Sequence, residues 1–248
     1  MTDSEESGAV TAARQLLSGC LQGTLATQSR EHPGFPFGSL LPYSIGRDGW
    51  PLILISHLAK HTRNLGDAPQ CCLTVSESGQ GDIQTLMRLT CLAVAEPLPD
   101  IPKALAERHF RYFPEGFIYH SQLNFHFYRL LPERFYFVGG FGSARWISRD
   151  RLETHNGFSF DEEQTVLDLI NRGFRKELLR CFQGQACPEE KGGMEVSAVG
   201  LDPDGVDLRL ADRLQRLPFP KPFHSGDKVM AWMTDTLSET GKTTKKIS

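Results

Sequence analysis

The sequence lacks three features that would place it in a common functional class. Its 27 basic residues do not exceed its 30 acidic ones, so we expect no nucleic-acid partner, because a phosphate backbone attracts a basic excess. The longest apolar run, residues 51–55, is too short to cross a bilayer, and the acidic N-terminus has no apolar leader segment. We therefore expect a cytoplasmic protein with no membrane partner.

Motifs of metal-dependent and hydrolytic enzymes are also absent. The six cysteines include no Cys-x-x-Cys pair, and we interpret them as buried free thiols of a reducing compartment. No two histidines four residues apart enclose a glutamate, which excludes a zincin-like site, and no Gly-x-Ser-x-Gly elbow indicates a hydrolase. We predict no metal site.

The first 150 residues contain short strand-like segments separated by turns. Six segments have the apolar pattern of strands, namely 24–27, 38–43, 51–56, 71–75, 85–95 and 125–138, the last broken at Pro132. Helical spacing is confined to residues 10–21, 58–65 and 101–113. Turn signals about every 8–12 residues predict a sandwich or barrel rather than alternating βαβ units.

The pattern changes after Trp146 to that of a small α+β unit. A polar stretch at 149–156 is typical of a linker, and apolar residues three and four apart predict one helix over 161–182. Segments 194–201 and 206–210 flank an Asp-Pro-Asp-Gly turn, which predicts a hairpin. A last helix is expected to begin near Ser225.

The glycine run at 139–142 has the composition of a phosphate-binding loop. However, it lacks the Lys-Ser/Thr pair of a P-loop and the helix that follows a Rossmann turn. We therefore predict a tight bend at the end of a strand, where glycine permits a close approach of the backbone.

Short motifs follow one another in a fixed order along this first part. They are GTLAT at 23–27, GFPFGS at 34–39, PY at 42–43, HT at 61–62, NL at 64–65, RLT at 88–90 and VGGFG at 138–142. This ordered series of motifs resembles that of the HugZ/HutZ haem-utilisation proteins, which belong to the pyridoxamine 5′-phosphate oxidase-like superfamily. The resemblance implies an α+β fold: a six-stranded, FMN-binding-like split β-barrel over 10–150, followed by a small α+β domain of unknown function over 160–245.

The resemblance also implies a ligand and an assembly. Family members are homodimers whose ligand site is formed by both subunits at their interface. The oxidases hold FMN at this site, whereas HugZ-type members hold haem and open its ring with oxygen and a reductant. We accordingly expect FMN or haem as the cofactor and a second copy of the chain as the partner.

The residues after the strand at 51–56 match the flavin-phosphate site of the oxidases. When the chains are aligned through Leu65 and Pro69, Lys60 and His61 fall on an adjacent basic pair of that site. The cofactor-binding residues that the resemblance implies are Ser39, Ser56, Lys60, His61, Asn64, Arg88 and Thr90. The residue chemistry agrees, because a phosphate or a haem propionate needs cations and the unpaired amides at the start of a helix.

Arg88 is the candidate catalytic residue. Its guanidinium group could bind a carboxylate in a bidentate manner or polarise a bound oxygen species, and Thr90 would project from the same face of the strand. The residues alone leave a second interpretation open. In it, Lys60 and His61 are a solvated surface pair, and Arg88 pairs with a structural carboxylate.

Two single residues and one short segment bear on how far the family pattern extends to this chain. Asn124 stands where HugZ-type enzymes commonly have an aspartate that positions a haem-binding histidine of the partner subunit, and an amide brings no negative charge. The letters LINRGF at 169–174 stand where the small domain commonly has His-Met-Asn-x-Asp-His. His155 is a candidate haem ligand, with an exposed loop histidine as the alternative.

Three functional hypotheses remain open on the sequence. The first is an FMN- or haem-dependent redox protein related to the haem-degrading oxygenases, in which the protein positions the cofactor. The second is a non-catalytic haem-sensing or partner-binding module of tetrapyrrole metabolism. The third is a barrel of the same fold that holds no cofactor.

Overall fold

The computed structural model describes residues 3–79, 82–140, 143–182 and 196–239, and the chain divides into two compact units. The first unit is Met1–His155 and the second is Asn156–Ser248. The predicted ranges 10–150 and 160–245 each fall within one unit, and the independence of the two domains stays a prediction. Among the described residues, no helix has the length and apolar composition needed to cross a membrane.

The first unit consists of an antiparallel sheet and five α-helices in the part of the chain described. Its strands are β1 (Gln22–Gln28), β2 (Pro36–Pro42), β3 (Ser44–Ile45), β4 (Pro51–Ser56), β5 (Gln70–Ser76), β6 (Arg88–Pro97), β7 (Phe125–Val138) and β8 (Ala144–Ser148). Its helices are α1 (Asp3–Cys20), α2 (Lys60–Asp67), α3 (Lys103–Tyr112), α4 (Gly116–Gln122) and α5 (Arg149–Leu152). The strands pair in the order β2-β1-β5-β6-β7-β4-β3, and β8 pairs with β7.

The sheet has eight strands instead of the predicted six. The two additional strands are β3 and β8, which contain two and five residues and are too short to give a periodic pattern. The sequence pattern also does not predict α4, and the expected linker at 149–156 begins with α5.

Two predicted details of the long strands are wrong. Strand β7 runs through Pro132 without a break, because Pro132 lies at a bulge where its missing N–H leaves no gap in the ladder. Strand β6 begins at Arg88 and not at Thr85. Residues Ile83–Thr85 form a 3₁₀ turn instead, because the side chain of Asp82 accepts a hydrogen bond from Gln84 N (2.9 Å).

The two faces of the sheet differ in burial. One rung of paired residues, Leu25, Leu73, Cys91, Phe135 and Ile147, is buried throughout and forms the inner face. The neighbouring rung, Leu40, Thr24, Thr74, Thr90, Tyr136 and Trp146, points the other way and is at least partly exposed at every position. We call this second side the outer face. Side chains alternate along a strand, so neighbouring residues separate onto the two faces.

The second unit packs helices against a three-stranded sheet. Its elements are α6 (Phe160–Gly173), α7 (Arg175–Phe182), β9 (Val196–Asp202), β10 (Gly205–Leu210), β11 (Arg213–Pro218) and α8 (Gly226–Glu239). The hairpin and the last helix are confirmed, although residues 194 and 195 of the predicted hairpin lie outside the described residues. The single helix predicted over 161–182 is divided, because Phe174 leaves the helical conformation (φ −125°).

Candidate functional site

The turn between β4 and α2 is held by Ser56. Its hydroxyl accepts a hydrogen bond from Leu58 N (3.2 Å), and its carbonyl accepts one from Thr62 Oγ1 (2.6 Å). Both oxygens of Ser56 therefore organise the entry to α2. This local arrangement explains why a helix starts directly after an apolar strand.

His61 faces Ser39 across the contact between α2 and β2. The distance between His61 Nδ1 and Ser39 Oγ is 3.0 Å, while His61 Nε2 is buried and has no hydrogen-bond partner among the described residues. Burial lowers the pKa of His61 below its usual value. His61 is therefore neutral at pH 7 and can offer a donor or an acceptor at Nε2, but not a positive charge.

The other two predicted residues of α2 are already engaged. Lys60 Nζ lies 2.6 Å from Glu31 Oε2 in an exposed ion pair, and this contact lowers the pKa of Glu31. Asn64 is buried, donates to Thr27 Oγ1 (2.9 Å) and accepts from Arg30 N (3.0 Å). Asn64 therefore ties α2 to β1 and to the loop that follows it.

Arg88 and Thr90 lie together in a groove of about 610 Å³ on the outer face, which we call the Arg88 groove. The remaining lining residues are Gln84, Tyr136, Val138, Gly140, Ser143 and Ala144. Arg88 Nη1 donates a long hydrogen bond to Gln84 O (3.4 Å), and no carboxylate pairs with Arg88 in the part of the chain described. The structure thus does not support the interpretation of Arg88 as a structural ion-pair residue.

A turn after β7 closes one end of the groove. Gly139 N donates to Ser143 O (2.8 Å), and Ser143 N donates to Gly140 O (3.3 Å). Gly140 has φ +111°, a backbone conformation that favours glycine. The structure thus has the predicted tight bend, of which residues 141 and 142 lie outside the described residues.

The structure places the predicted site residues on two faces of one sheet. Ser39 is paired with Leu25 on the inner face, and Asn64 contacts Thr27, which is buried on the same face. Thr90 is paired with Tyr136 on the outer face. A single chain therefore brings Ser39, His61 and Asn64 together at α2 and separately brings Arg88 and Thr90 together in the groove.

Sequence reasoning missed the aromatic residues beside the groove. The ring centroids of Tyr136 and Trp146 are 5.0 Å apart, and the guanidinium carbon of Arg134 lies 5.6 Å from the Trp146 centroid. Trp146 is 53% exposed. The alternation of Arg134, Tyr136 and Val138 was a usable signal, but the partner strand β8 was too short to be recognised.

Asn124 and His155 occupy irregular backbone at the ends of elements. Asn124 has φ +55°, which asparagine tolerates better than most residues, and its carbonyl accepts hydrogen bonds from His57 Nδ1 (3.1 Å) and His57 N (3.4 Å). His155 is exposed and makes no hydrogen bond with another described residue. Its role as a haem ligand stays a prediction.

The groove is compatible with an anionic cofactor of flavin or haem size. Its volume lies within the range of about 300–1,000 Å³ that is usual for ligand pockets. The Arg88 guanidinium without a carboxylate partner would bind a phosphate or a propionate, and the hydroxyls of Thr90 and Ser143 add polar contacts. The donor set therefore fits such a group, and no cluster of three metal-ligating side chains occurs among the described residues.

Comparison with solved structures identifies the same fold across the chain. The protein Atu2129 of Agrobacterium tumefaciens, whose function is unknown, matches with a TM-score of 0.74 and 25% identity over 92% of this chain and 94% of that one. A heme binding protein from Mycobacterium smegmatis matches with a TM-score of 0.55 and 23% identity over 95% and 98%. The predicted α+β class is confirmed.

Comparison with characterised sequences finds two heme oxygenases. HutZ of Vibrio cholerae is 33% identical over 139 residues, which are 52% of this chain and 76% of HutZ. The chloroplastic heme oxygenase HOZ of Arabidopsis thaliana is 34% identical over 77 residues, 31% of this chain, and the match spans only 23% of HOZ. The resemblance to the HutZ group is confirmed.

A family model covers the first unit almost completely. The model described as CREG, beta-barrel matches residues 4–154, which include every strand of the eight-stranded sheet. The match extends over more than half of the chain. The protein therefore belongs to the CREG beta-barrel family.

Proposed function

We propose that the protein is a haem- or flavin-binding redox protein that works as a homodimer. The observation that carries the proposal is the Arg88 groove, where a guanidinium group faces a ligand-sized space without a carboxylate partner in the described part of the chain. The similarity to two heme oxygenases supports haem as one ligand. Flavin is the other ligand because the family resemblance at 56–65 includes the flavin-phosphate site.

The residues of the groove have distinct tasks in this proposal. Arg88 binds the anionic group of the cofactor with two parallel N–H donors, while Thr90 and Ser143 orient it through their hydroxyls. Val138 and Ala144 line the groove with apolar surface that excludes water, which strengthens the charged contact. The bound haem or flavin supplies the electron-transfer chemistry.

The dimer is proposed from an exposed apolar residue at one edge of the outer face. Leu40 is 76% exposed and projects from that face on the edge strand β2. Exposed apolar residues that share one face favour contact with a second copy. The turn after β4, with Ser56 at the strand end and Lys60 at the start of α2, would then reach the cofactor across the interface, which is the assembly that the family resemblance implies.

Titration of the purified protein with FMN and with haemin tests the proposal. We expect a flavin spectrum or a Soret band that saturates at micromolar ligand, and Arg88→Gln should weaken binding about 10- to 100-fold, since a charged hydrogen bond is worth roughly 1.5–3 kcal/mol. Arg213→Gln removes an exposed arginine of β11 in the second unit and serves as the matched control. A parent protein that binds neither cofactor at micromolar concentration would refute the proposal.

A haem-sensing or partner-binding role without catalysis is the second candidate. Asn124 cannot supply the negative charge of the family aspartate, and its backbone carbonyl already engages His57. Turnover separates the two candidates: haemin with ascorbate and oxygen should yield a green biliverdin-like product and free iron only if the protein is an oxygenase. Tight haemin binding without this product would favour the sensor.

A cytoplasmic location is part of the proposal and rests on the cysteines. Cys20, Cys71, Cys72 and Cys91 are free thiols, and burial raises the pKa of Cys20 to about 11 and of Cys71 to about 12. The Cys20 and Cys71 thiols therefore stay protonated at neutral pH, as expected for structural cysteines of a reducing compartment. Cell fractionation with an antibody to the protein would test the location.

A further inference from the structure

We propose that Trp146, Tyr136 and Arg134 bind the ring system of a planar anionic ligand whose anionic group occupies the Arg88 groove. We call these three residues the aromatic platform. The inference rests on the proposed function for the anionic end of the ligand, and it adds a second site for the conjugated ring. Neither the family resemblance nor the motifs of the sequence include any of the three residues.

The platform begins where the groove ends. Tyr136 lines the groove and also contacts Trp146, with 5.0 Å between the ring centroids. Thr90, Tyr136 and Trp146 are paired in register on three neighbouring strands. Because neighbouring strands are about 4.8 Å apart, a ligand of two or three fused rings is long enough to extend from Thr90 onto Trp146.

Trp146 is exposed to an extent that its packing within the chain does not explain. Its side chain is 53% exposed, whereas Trp50 is only 2% exposed and Trp232 packs on Phe219 at 5.0 Å. The interplanar angle of 53° between Trp146 and Tyr136 leaves both rings tilted to one another rather than stacked. An exposed indole on a rigid strand provides a stacking surface for a conjugated ring.

The charges around the platform favour an anionic ligand. Neither Arg88 nor Arg134 pairs with a carboxylate in the part of the chain described, and the groove lining contains no acidic side chain. The Arg134 guanidinium carbon lies over the indole ring, 5.6 Å from its centre, so a cation already contacts the ring against which the ligand would stack. A planar ring that bears phosphate or carboxylate groups matches this combination, and a neutral aromatic ligand leaves both arginines unpaired.

The same charges argue against a second copy of the chain as the occupant of the platform. A two-fold contact pairs a surface with itself, so burial of this part of the outer face would bring like charges together. Burial of unpaired guanidinium groups is costly. The exposed leucine at the other edge of this rung, Leu40, has no such charges in register with it and is the better position for a subunit contact.

The decisive experiment compares ligands that differ only in their anionic group. Dissociation constants are measured by visible absorbance for FMN against riboflavin and for haemin against its dimethyl ester, with the parent, Trp146→Ala, Arg88→Gln and Phe117→Ala. We expect Trp146→Ala to weaken all ligands about 10-fold or more, since stacking on one aromatic side chain contributes roughly 1–3 kcal/mol. The preference for the anionic member of each pair should persist in Trp146→Ala and disappear in Arg88→Gln.

Phe117→Ala is the matched control, because Phe117 is an exposed aromatic residue of α4 (58% exposed) that does not line the groove, and it should bind within about two-fold of the parent. Binding of Trp146→Ala within two-fold of the parent, together with weakened Arg88→Gln, would overturn the platform and leave the proposed function standing. A monomeric Trp146→Ala variant would also overturn it, because Trp146 would then be a subunit contact. A parent that binds none of the four ligands would overturn both proposals.

Discussion

At the scale of single residues, His109 links stability to pH. Its ring is 2% exposed, Nδ1 lies 2.8 Å from Ser44 Oγ, and three phenylalanine rings surround it at 5.1–6.2 Å. Burial, with a smaller contribution from Arg108, lowers the pKa of His109 to about 3. In the unfolded chain the pKa of a histidine is about 6.5. Below that pH, His109 is protonated in the unfolded state but stays neutral in the folded state, and this difference favours unfolding.

We therefore expect the free energy of unfolding to be fully retained above about pH 6.5 and to fall as the pH is lowered toward 4. His109 alone contributes up to about 1.4 kcal/mol per pH unit in this window. Urea unfolding at pH 7, 6, 5 and 4 measures the slope. His109→Gln keeps a hydrogen-bonding group for Ser44 and should flatten the profile, whereas His32→Gln, at an exposed loop position, should not. Equal slopes in the parent and His109→Gln would contradict this assignment.

At the scale of secondary-structure elements, helix α6 replaces a missing strand at the edge of the second sheet. Strand β9 is an edge strand, yet Asn171 accepts a hydrogen bond from Ala198 N (2.6 Å) and donates one to Ala198 O (3.1 Å). The buried Glu163 accepts one from Leu201 N (3.0 Å). Side chains of α6 thus satisfy the main chain that would otherwise pair with another strand. Asn171 lies in the 169–174 stretch, and its side-chain amide has a structural role here.

Asn171→Leu tests this edge. The substitution preserves the approximate size of the side chain but leaves the amide and the carbonyl of Ala198 without these partners, and we expect a loss of about 2–4 kcal/mol of stability. The unpaired edge should also increase aggregation, which light scattering at 37 °C would detect. Arg172→Leu adds the same side chain at the adjacent exposed position and controls for hydrophobicity. If Asn171→Leu is as stable and as monodisperse as Arg172→Leu, the proposed role of Asn171 is excluded.

At the scale of the whole molecule, the sequence predicts those features of the fold that depend on a local pattern of residues. The apolar run at 51–56 predicts β4, and the spacing of two residues places Arg88 and Thr90 on one face. What local pattern cannot supply is the register between distant strands. That Ser39 faces the core while Thr90 faces outward depends on the pairing of β2 with β1, β5 and β6, which no short segment encodes. The aromatic platform was missed for the same reason, because Trp146 meets Tyr136 only through the pairing of β7 with β8.

The two compact units predict two separate unfolding events. Asn156–Ser248 has its own core, with Leu208, Val229 and Met233 fully buried, and a buried ion cluster joins Arg216 to Asp202 and to Asp207 (2.9 Å). Removal of one partner from a buried ion cluster costs about 3–5 kcal/mol, which corresponds to about 10 °C or more in a unit of this size.

Arg216→Ala should therefore lower the midpoint temperature of one calorimetric transition by that amount and leave the midpoint of the other unchanged. The reason is that the contacts that the substitution removes lie within the second unit. Arg213→Ala, at an exposed position of the same strand, should shift neither transition by more than about 2 °C. A single transition that moves as a whole in Arg216→Ala would show that the units unfold together. In that case the Arg88 groove and the edge of β9 would unfold in the same transition. A substitution at either place would then change the free energy of unfolding of the whole chain.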